Sequence, residues 1–140
     1  MATSTTQGNR SVARPSAPEW VRTFMLVQAA TFIGAATLHF GILVQGYVHL
    51  QAGTAESVIA SVLLAGLIAT WIRPVAIRGI GLAAQGFALL GTFVGLGTIA
   101  AGFGPRTVPD LVIHGTMVAE LVAGLIVANR ARAGVSRTSS

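Results

Sequence analysis

Gly79-Ile-Gly-Leu-Ala-Ala-Gln-Gly-Phe-Ala-Leu-Leu-Gly-Thr-Phe-Val-Gly-Leu-Gly-Thr-Ile-Ala-Ala101 contains no charged residue. A helix needs about 20 apolar residues to cross a hydrocarbon core of about 30 Å, so this stretch alone is a membrane span. Three more apolar runs flank it, at residues 24–47, 54–72 and 111–128. A soluble domain could not hide four such helices, because each would need a polar face toward water. The expected fold is therefore an all-α membrane protein, an antiparallel four-helix transmembrane bundle over residues 20–128. Residues 1–19, rich in Ser, Thr, Pro and Ala, read as a flexible tail, and residues 129–140 as a short basic tail. A cleaved signal peptide fits the start poorly, since the polar lead is long and the apolar run exceeds the usual h-region.

Composition narrows the chemistry. Cysteine is absent, which removes disulfides, thiolate nucleophiles and Cys-ligated metals. Every basic residue is arginine, so Schiff-base chemistry at lysine is excluded. The net charge of +5 reports orientation rather than nucleic-acid binding, and no nucleic-acid partner is expected. Arg10, Arg14, Arg22, Arg73, Arg78, Arg130, Arg132 and Arg137 fall on one side of an in-out-in-out arrangement, and Arg106 alone on the other. The positive-inside rule then puts both termini in the cytoplasm. Trp20 and Trp71 sit where interfacial indoles belong. Residues 50–55, with Gly53, read as the first outer turn, and Pro74 keeps the second and third helices from running together.

In lipid, small residues let helices pack closely. At about 100° per residue, Gly81, Gln85, Ala88, Thr92, Gly95 and Ile99 share one face of the third span. Gln28, Thr31, Ala35, His39, Gly46 and His49 do so on the first, and Gly115-x-x-x-Ala119-x-x-x-Ala123 forms a third stripe. All three are expected to face inward. The lipid bilayer is the expected surroundings, with membrane-protein partners or a homo-oligomer as further contacts.

Ionisable groups within the hydrocarbon are costly and so draw attention as functional candidates. His39, His49 and His114 lie in the outer half, ringed by Tyr47, Glu56, Arg106 and Asp110. Two readings of this group compete. In one, the histidines bind a cofactor: haem through axial imidazoles, a divalent metal together with Glu56 or Asp110, or a quinone head. Depth counts against haem, because with a rise of about 1.5 Å per residue His39 should lie about 12 Å below its span end and His114 about 5 Å below its own. In the other, His49, Glu56, Arg106 and Asp110 form a salt-bridged rim at the aqueous edge, Asp110 caps the fourth helix, and His39 bonds Gln85 or a backbone carbonyl across the bundle for about 0.6 kcal/mol. Glu120, near the middle of the fourth span, is expected to be neutral and to face a helix, since a standing charge there costs several kcal/mol. It points about 120° away from His114, so the two belong to different contacts. No hydrolytic constellation is present, since Ser57 and Ser61 lack a base. Four spans unbroken by proline leave little room for a transport path.

The segments Gly46-Tyr-Val-His49, Ala55-Glu-Ser-Val-Ile-Ala60, Gln85-Gly-Phe-Ala-Leu-Leu-Gly91 and Gly104-Pro-Arg-Thr-Val-Pro-Asp110 with His114 resemble a group of small four-span bacterial membrane proteins of uncharacterised activity. The resemblance implies the same fold and a prokaryotic inner membrane, and supplies no activity; Glu120 departs from its pattern. The sequence thus favours a non-enzymatic accessory or scaffold subunit, with a cofactor-binding bundle as the alternative.

Overall fold

The computed structural model of this chain describes residues 15–44, 46, 48–104 and 107–131. Four α-helices follow one another: α1 Ala17–His39, α2 Leu50–Ile72, α3 Ile77–Ala100 and α4 Val108–Arg130. A single 3-10 turn, Pro74–Ala76, joins α2 to α3. Each helix has 23 or 24 residues, which at a rise of about 1.5 Å gives about 35 Å, enough to cross a bilayer. All four are apolar enough to do so. They form a four-helix transmembrane bundle. α1 packs on α2 and α4, α3 packs on the same two, and α1 touches α3 across the middle.

The helix ends explain the boundaries. α1 and α4 start alike, with Ser16-Ala-Pro-Glu19 and Thr107-Val-Pro-Asp110 as capping boxes carrying an early proline. Asp110 is therefore the third helical residue answering the cap at Thr107, not the cap itself. α1 and α3 also stop alike. Gly41 and Gly102 adopt φ of +71° and +91°, and each chain end closes in the same two bonds. Gly41 N–H donates to Leu38 O and Ile42 N–H to Thr37 O; Gly102 N–H donates to Ile99 O and Phe103 N–H to Thr98 O. This is the Schellman arrangement, which favours glycine because a Cβ is strained there.

The stop at Gly41 corrects three expectations. α1 ends at His39 rather than near residue 47, so His39 is its last residue and not two or three turns inside it. Gly46 and His49 leave the α1 stripe, and Gly53 lies inside α2, buried against Phe40, instead of forming the turn. The helices also reach further at the other end: α1 takes in 17–19 and α4 takes in 129–130, both read from sequence as tail. Residues 1–14 and 132–140 of those tails lie outside the described residues.

The core is layered. Val21, Met25, Phe32, Leu63, Met117 and Leu121 fill it with almost no exposed surface. At the end where the chain termini lie, Arg22 reaches from α1 to the last turn of α2. Its guanidinium donates to Thr70 Oγ1 at 3.2 Å and to Thr70 O at 2.9 Å, and stacks 4.0 Å from the Trp71 ring centroid. That satisfies a terminal carbonyl and adds a cation–π contact. Arg78 donates to Asn129 at 2.8 Å, fastening the start of α3 to the end of α4.

Of the three small-residue stripes, the one on α3 faces inward as read: Gly81, Gln85, Ala88, Thr92 and Ile99 are buried. The stripe on α4 does not. Gly115 and Ala119 are exposed, and a Cβ at Gly115 would meet nothing within 4 Å. α4 turns Asp110, His114, Met117, Leu121, Gly124 and Ala128 inward instead. Polar side chains need partners in this environment and water is absent from it, so they outrank small residues in setting the inner face.

Candidate functional site at the loop end

Two layers of polar side chains interrupt the apolar core. The middle layer joins α1, α3 and α4. Gln28 Nε2 donates to Gln85 Oε1 at 3.0 Å and to the Glu120 carbonyl at 2.9 Å, and Gln85 Nε2 donates to Gly81 O at 3.0 Å. Gly124 makes room for it: a Cβ there would overlap Gln85 Oε1 and come within 2.5 Å of Gln28 Nε2. Gln85 is thus committed to Gln28, and the expected His39–Gln85 bond is not formed.

The second layer sits beneath the α1–α2 and α3–α4 connections. The stop at Gly41 delivers His39 to the end of α1, where the His49 N–H bonds the His39 carbonyl at 2.8 Å and folds the connection back over it. His39 Nδ1 lies 2.7 Å from Glu56 Oε2 on α2, and its Nε2 lies 3.9 Å from Asp110 Oδ1 on α4. His114, one turn after Asp110 on α4, has Nδ1 2.8 Å from the Asp110 carbonyl. His49 caps α2, its Nδ1 accepting from Ala52 N–H at 3.2 Å, and its ring lies edge-on to that of His39 with centroids 6.2 Å apart.

Burial separates this arrangement from a wet rim. His39 and Glu56 are each 5% exposed, Asp110 2% and His114 9%. Only His49 is half-exposed. Of the expected salt-bridged rim, Glu56 and Asp110 are therefore buried inside the bundle, while His49 is half-exposed. Tyr47 and Arg106, the other proposed members, lie outside the described residues.

The cluster lines a cavity. A chamber of about 290 Å³ opens at the end of α1 among α2, α3 and α4, with His39, His49, Gln51, Thr98, Asp110 and His114 as its polar wall and Val94, Ile99 and Phe103 as its apolar one. Behind it lies a smaller chamber of about 50 Å³ that reaches Glu56, His114, Phe32 and Met117. Gly91 and Gly95 of α3 wall both chambers; a Cβ at Gly91 would run into Ile59 Cδ1 at 2.8 Å, whereas one at Gly95 would meet only His114 Nε2 at 3.9 Å, so the free space lies at Gly95. Among the described residues, two buried side-chain polar atoms have no hydrogen-bond partner, Gln28 Oε1 and Glu56 Oε1. Only the second belongs to a residue lining a chamber.

The geometry bears on each cofactor raised from sequence. No group of three His, Asp or Glu side chains among the described residues is set to hold a metal ion. The depth objection to haem fails, because His39 ends its helix and lies beside the start of α4. A different constraint replaces it: His39 Nδ1 is held by Glu56 at 2.7 Å, while Nε2 lies 3.9 Å from Asp110 Oδ1, beyond hydrogen-bond length but within the field of that carboxylate. A hydrogen-bonded ring such as a quinone head is compatible in size, since ligand pockets begin near about 300 Å³.

Glu120 stands apart, as its angular offset from His114 requires. It is half-buried on α4 and its Oε2 lies 3.1 Å from Thr31 Oγ1 of α1. It thus faces a neighbouring helix, while His114 faces the chambers.

No protein-family model, curated protein or solved structure matches this chain. What the loop-end cluster does must be argued from its own chemistry.

Proposed function

We propose that this protein is a small ligand-binding bundle of the membrane, whose loop-end chamber takes an apolar molecule with a hydrogen-bonding head. The observation that carries this reading is the unpartnered Glu56 Oε1, on a residue that lines the smaller chamber, next to a larger one whose polar wall holds three histidines, an aspartate, Gln51 and Thr98. A buried acceptor left open is costly; Gln28 Oε1 in the glutamine layer is open too, but of the two only Glu56 lies on one of these chambers, where a ligand can reach it. An apolar wall next to open polar valences is what small-molecule sites have in common. The reading sets quinone-type heads above haem and metal.

Orientation follows from charge. Arg22, Arg73, Arg78 and Arg130 gather at the end with the termini, which by the positive-inside rule faces the cytoplasm. The chamber then opens on the outer leaflet of a bacterial inner membrane. Fusion reporters at the C-terminus and at Gly46 should read cytoplasmic and external respectively.

The accessory-subunit reading keeps one specific support, the outward stripe of Gly115 and Ala119 on α4, which offers a partner helix a close approach. The two readings are compatible.

The test of binding uses Gly95→Leu. A Cβ at Gly95 meets only His114 Nε2, at 3.9 Å, so the longer side chain grows into the chamber without displacing a helix. Wild-type protein purified in mild detergent should release one small amphipathic molecule per chain on solvent extraction, and Gly95→Leu, equally well folded, should release none. Equal yields from both would refute the reading.

A further inference from the structure

The open valences of the loop-end layer have a definite polarity, and it selects the ligand's head. This inference rests on the binding reading above. His114 Nδ1 lies 2.8 Å from the Asp110 carbonyl. A carbonyl only accepts, so Nδ1 carries the hydrogen and the neutral ring presents Nε2 as a bare lone pair. That nitrogen faces Gly95 across the chamber wall. At Glu56, one proton lies in the 2.7 Å contact between Oε2 and His39 Nδ1, whichever of the two atoms holds it. With no proton on the pair besides that one, Oε1, which has no partner, is a bare acceptor as well. Glu56 and His114 line the same inner chamber. The innermost part of the cavity thus offers two acceptors. Nearer the mouth, His49 accepts at Nδ1 from Ala52 N–H, so its neutral ring carries its hydrogen on Nε2.

We propose that the site binds a hydroxyl-bearing head, whose single O–H hydrogen is shared between Glu56 Oε1 and His114 Nε2 in a three-centre bond, and discriminates against the carbonyl form of the same molecule. A hydroquinone ring on an apolar tail has this chemistry, and so does the free hydroxyl of a lipid such as diacylglycerol. A quinone carbonyl brings only a further acceptor against the two already present. A buried hydrogen-bonding group left unpaired is penalised enough to separate the two oxidation states by at least about tenfold in affinity. The inner chamber is too small for a ring and suits a head atom, with the ring or glycerol in the outer one.

The experiment titrates the full chain in lipid nanodiscs with decylubiquinol and with decylubiquinone, kept anaerobic, and with dioctanoylglycerol. The expected result is binding of the hydroquinone at least about tenfold tighter than the quinone. Glu56→Gln supplies the control of polarity. Its amide oxygen can still accept from His39, which turns the NH₂ donor toward the chamber, so the preference should shrink or reverse while thermal unfolding stays close to wild type. Should Glu56→Gln fail to fold, His114→Phe removes the second acceptor and should weaken hydroquinone binding alone. If dioctanoylglycerol binds and neither oxidation state of the quinone does, the hydroxyl preference stands and the source is a lipid. Equal affinity for hydroquinone and quinone would overturn this inference and leave the binding reading intact. No binding of any of the three, with Glu56 Oε1 hydrated by a single water in a high-resolution structure, would end both.

Discussion

The glutamine layer and the histidine–carboxylate layer are built from the same kind of material and differ in whether a cavity adjoins them. Both link helices through buried polar side chains. In the glutamine layer Gln28 and Gln85 spend their amide donors on each other, on the Glu120 carbonyl and on the Gly81 carbonyl, and a glycine on α4 lets the helices close around them. In the loop-end layer Gly95 does the reverse. It leaves space on α3 opposite His114, and Glu56 lines the same chamber. Helices in a bilayer gain little from apolar burial, so such layers are how they are held in register. Each layer keeps one acceptor without a partner, Gln28 Oε1 and Glu56 Oε1; the glutamine layer is closed by packing, whereas the loop-end layer opens on a cavity and is free to bind.

The largest effect should come from the closed layer. Gly124→Ala places a Cβ on Gln85 Oε1, so the glutamine pair must break or α4 must withdraw. Overpacking together with a stranded amide should cost about 2–5 kcal/mol, read as a large fall in unfolding midpoint in a denaturing-detergent titration. Gln85→Ala in the same chain should recover part of it. An unchanged midpoint for Gly124→Ala would mean the glutamine layer is looser than its geometry.

An intermediate effect is expected where the two layers are tied to chain direction. Gly41→Ala forces a Cβ into a left-handed backbone and against Val48 Cγ2 at 2.8 Å. About 1 kcal/mol of stability should be lost, with a disproportionate loss of ligand, because the α1 terminus carries His39 and its bond to His49. Stability and binding falling in step would argue that the turn has no special role in the site.

The smallest effects belong to positions outside either layer's demands. Glu120→Gln should leave stability within about 0.5 kcal/mol, since an amide can replace the carboxyl at Thr31. Gly95→Ala should be as mild, because its Cβ meets only His114 Nε2 at ordinary contact distance. A severe loss in Gly95→Ala, comparable to Gly124→Ala, would erase the distinction between a closed and an open layer.

How much of this could be read from the sequence differs along the chain. Four spans were legible from hydropathy, and so was the inward stripe of α3, where polar Gln85 and Thr92 lie among small residues. The end of α1 was not, because Ile42, Leu43 and Val44 continue the apolar run past Gly41. Hydropathy registers no stop there. The glycine does, and it could have placed His39 at the helix end and beside Glu56. The α4 stripe misled for a related reason. A span apolar on every side has no hydrophobic face to orient it, so Gly115 and Ala119 look like a seam although they point outward. Asp110, His114 and Gly124 were the better guides. The pairing of Gln28 with Gln85 required the corrected depth of α1, and the open space opposite His114 arises from the missing side chain at Gly95, which no spacing reveals.

One measurement reads both layers at once. In nitrogen-15-labelled protein in micelles, the imidazole nitrogens report the loop end and the side-chain amides of Gln28 and Gln85 report the middle. With added decylubiquinol, the His114 Nε2 resonance should move from the position of a bare lone pair toward that of a hydrogen-bond acceptor. The Gln28 and Gln85 amide resonances should stay where they are. A His114 Nε2 that is already protonated, or that does not respond while the glutamine amides do, would contradict the assignment of the open layer as the binding site.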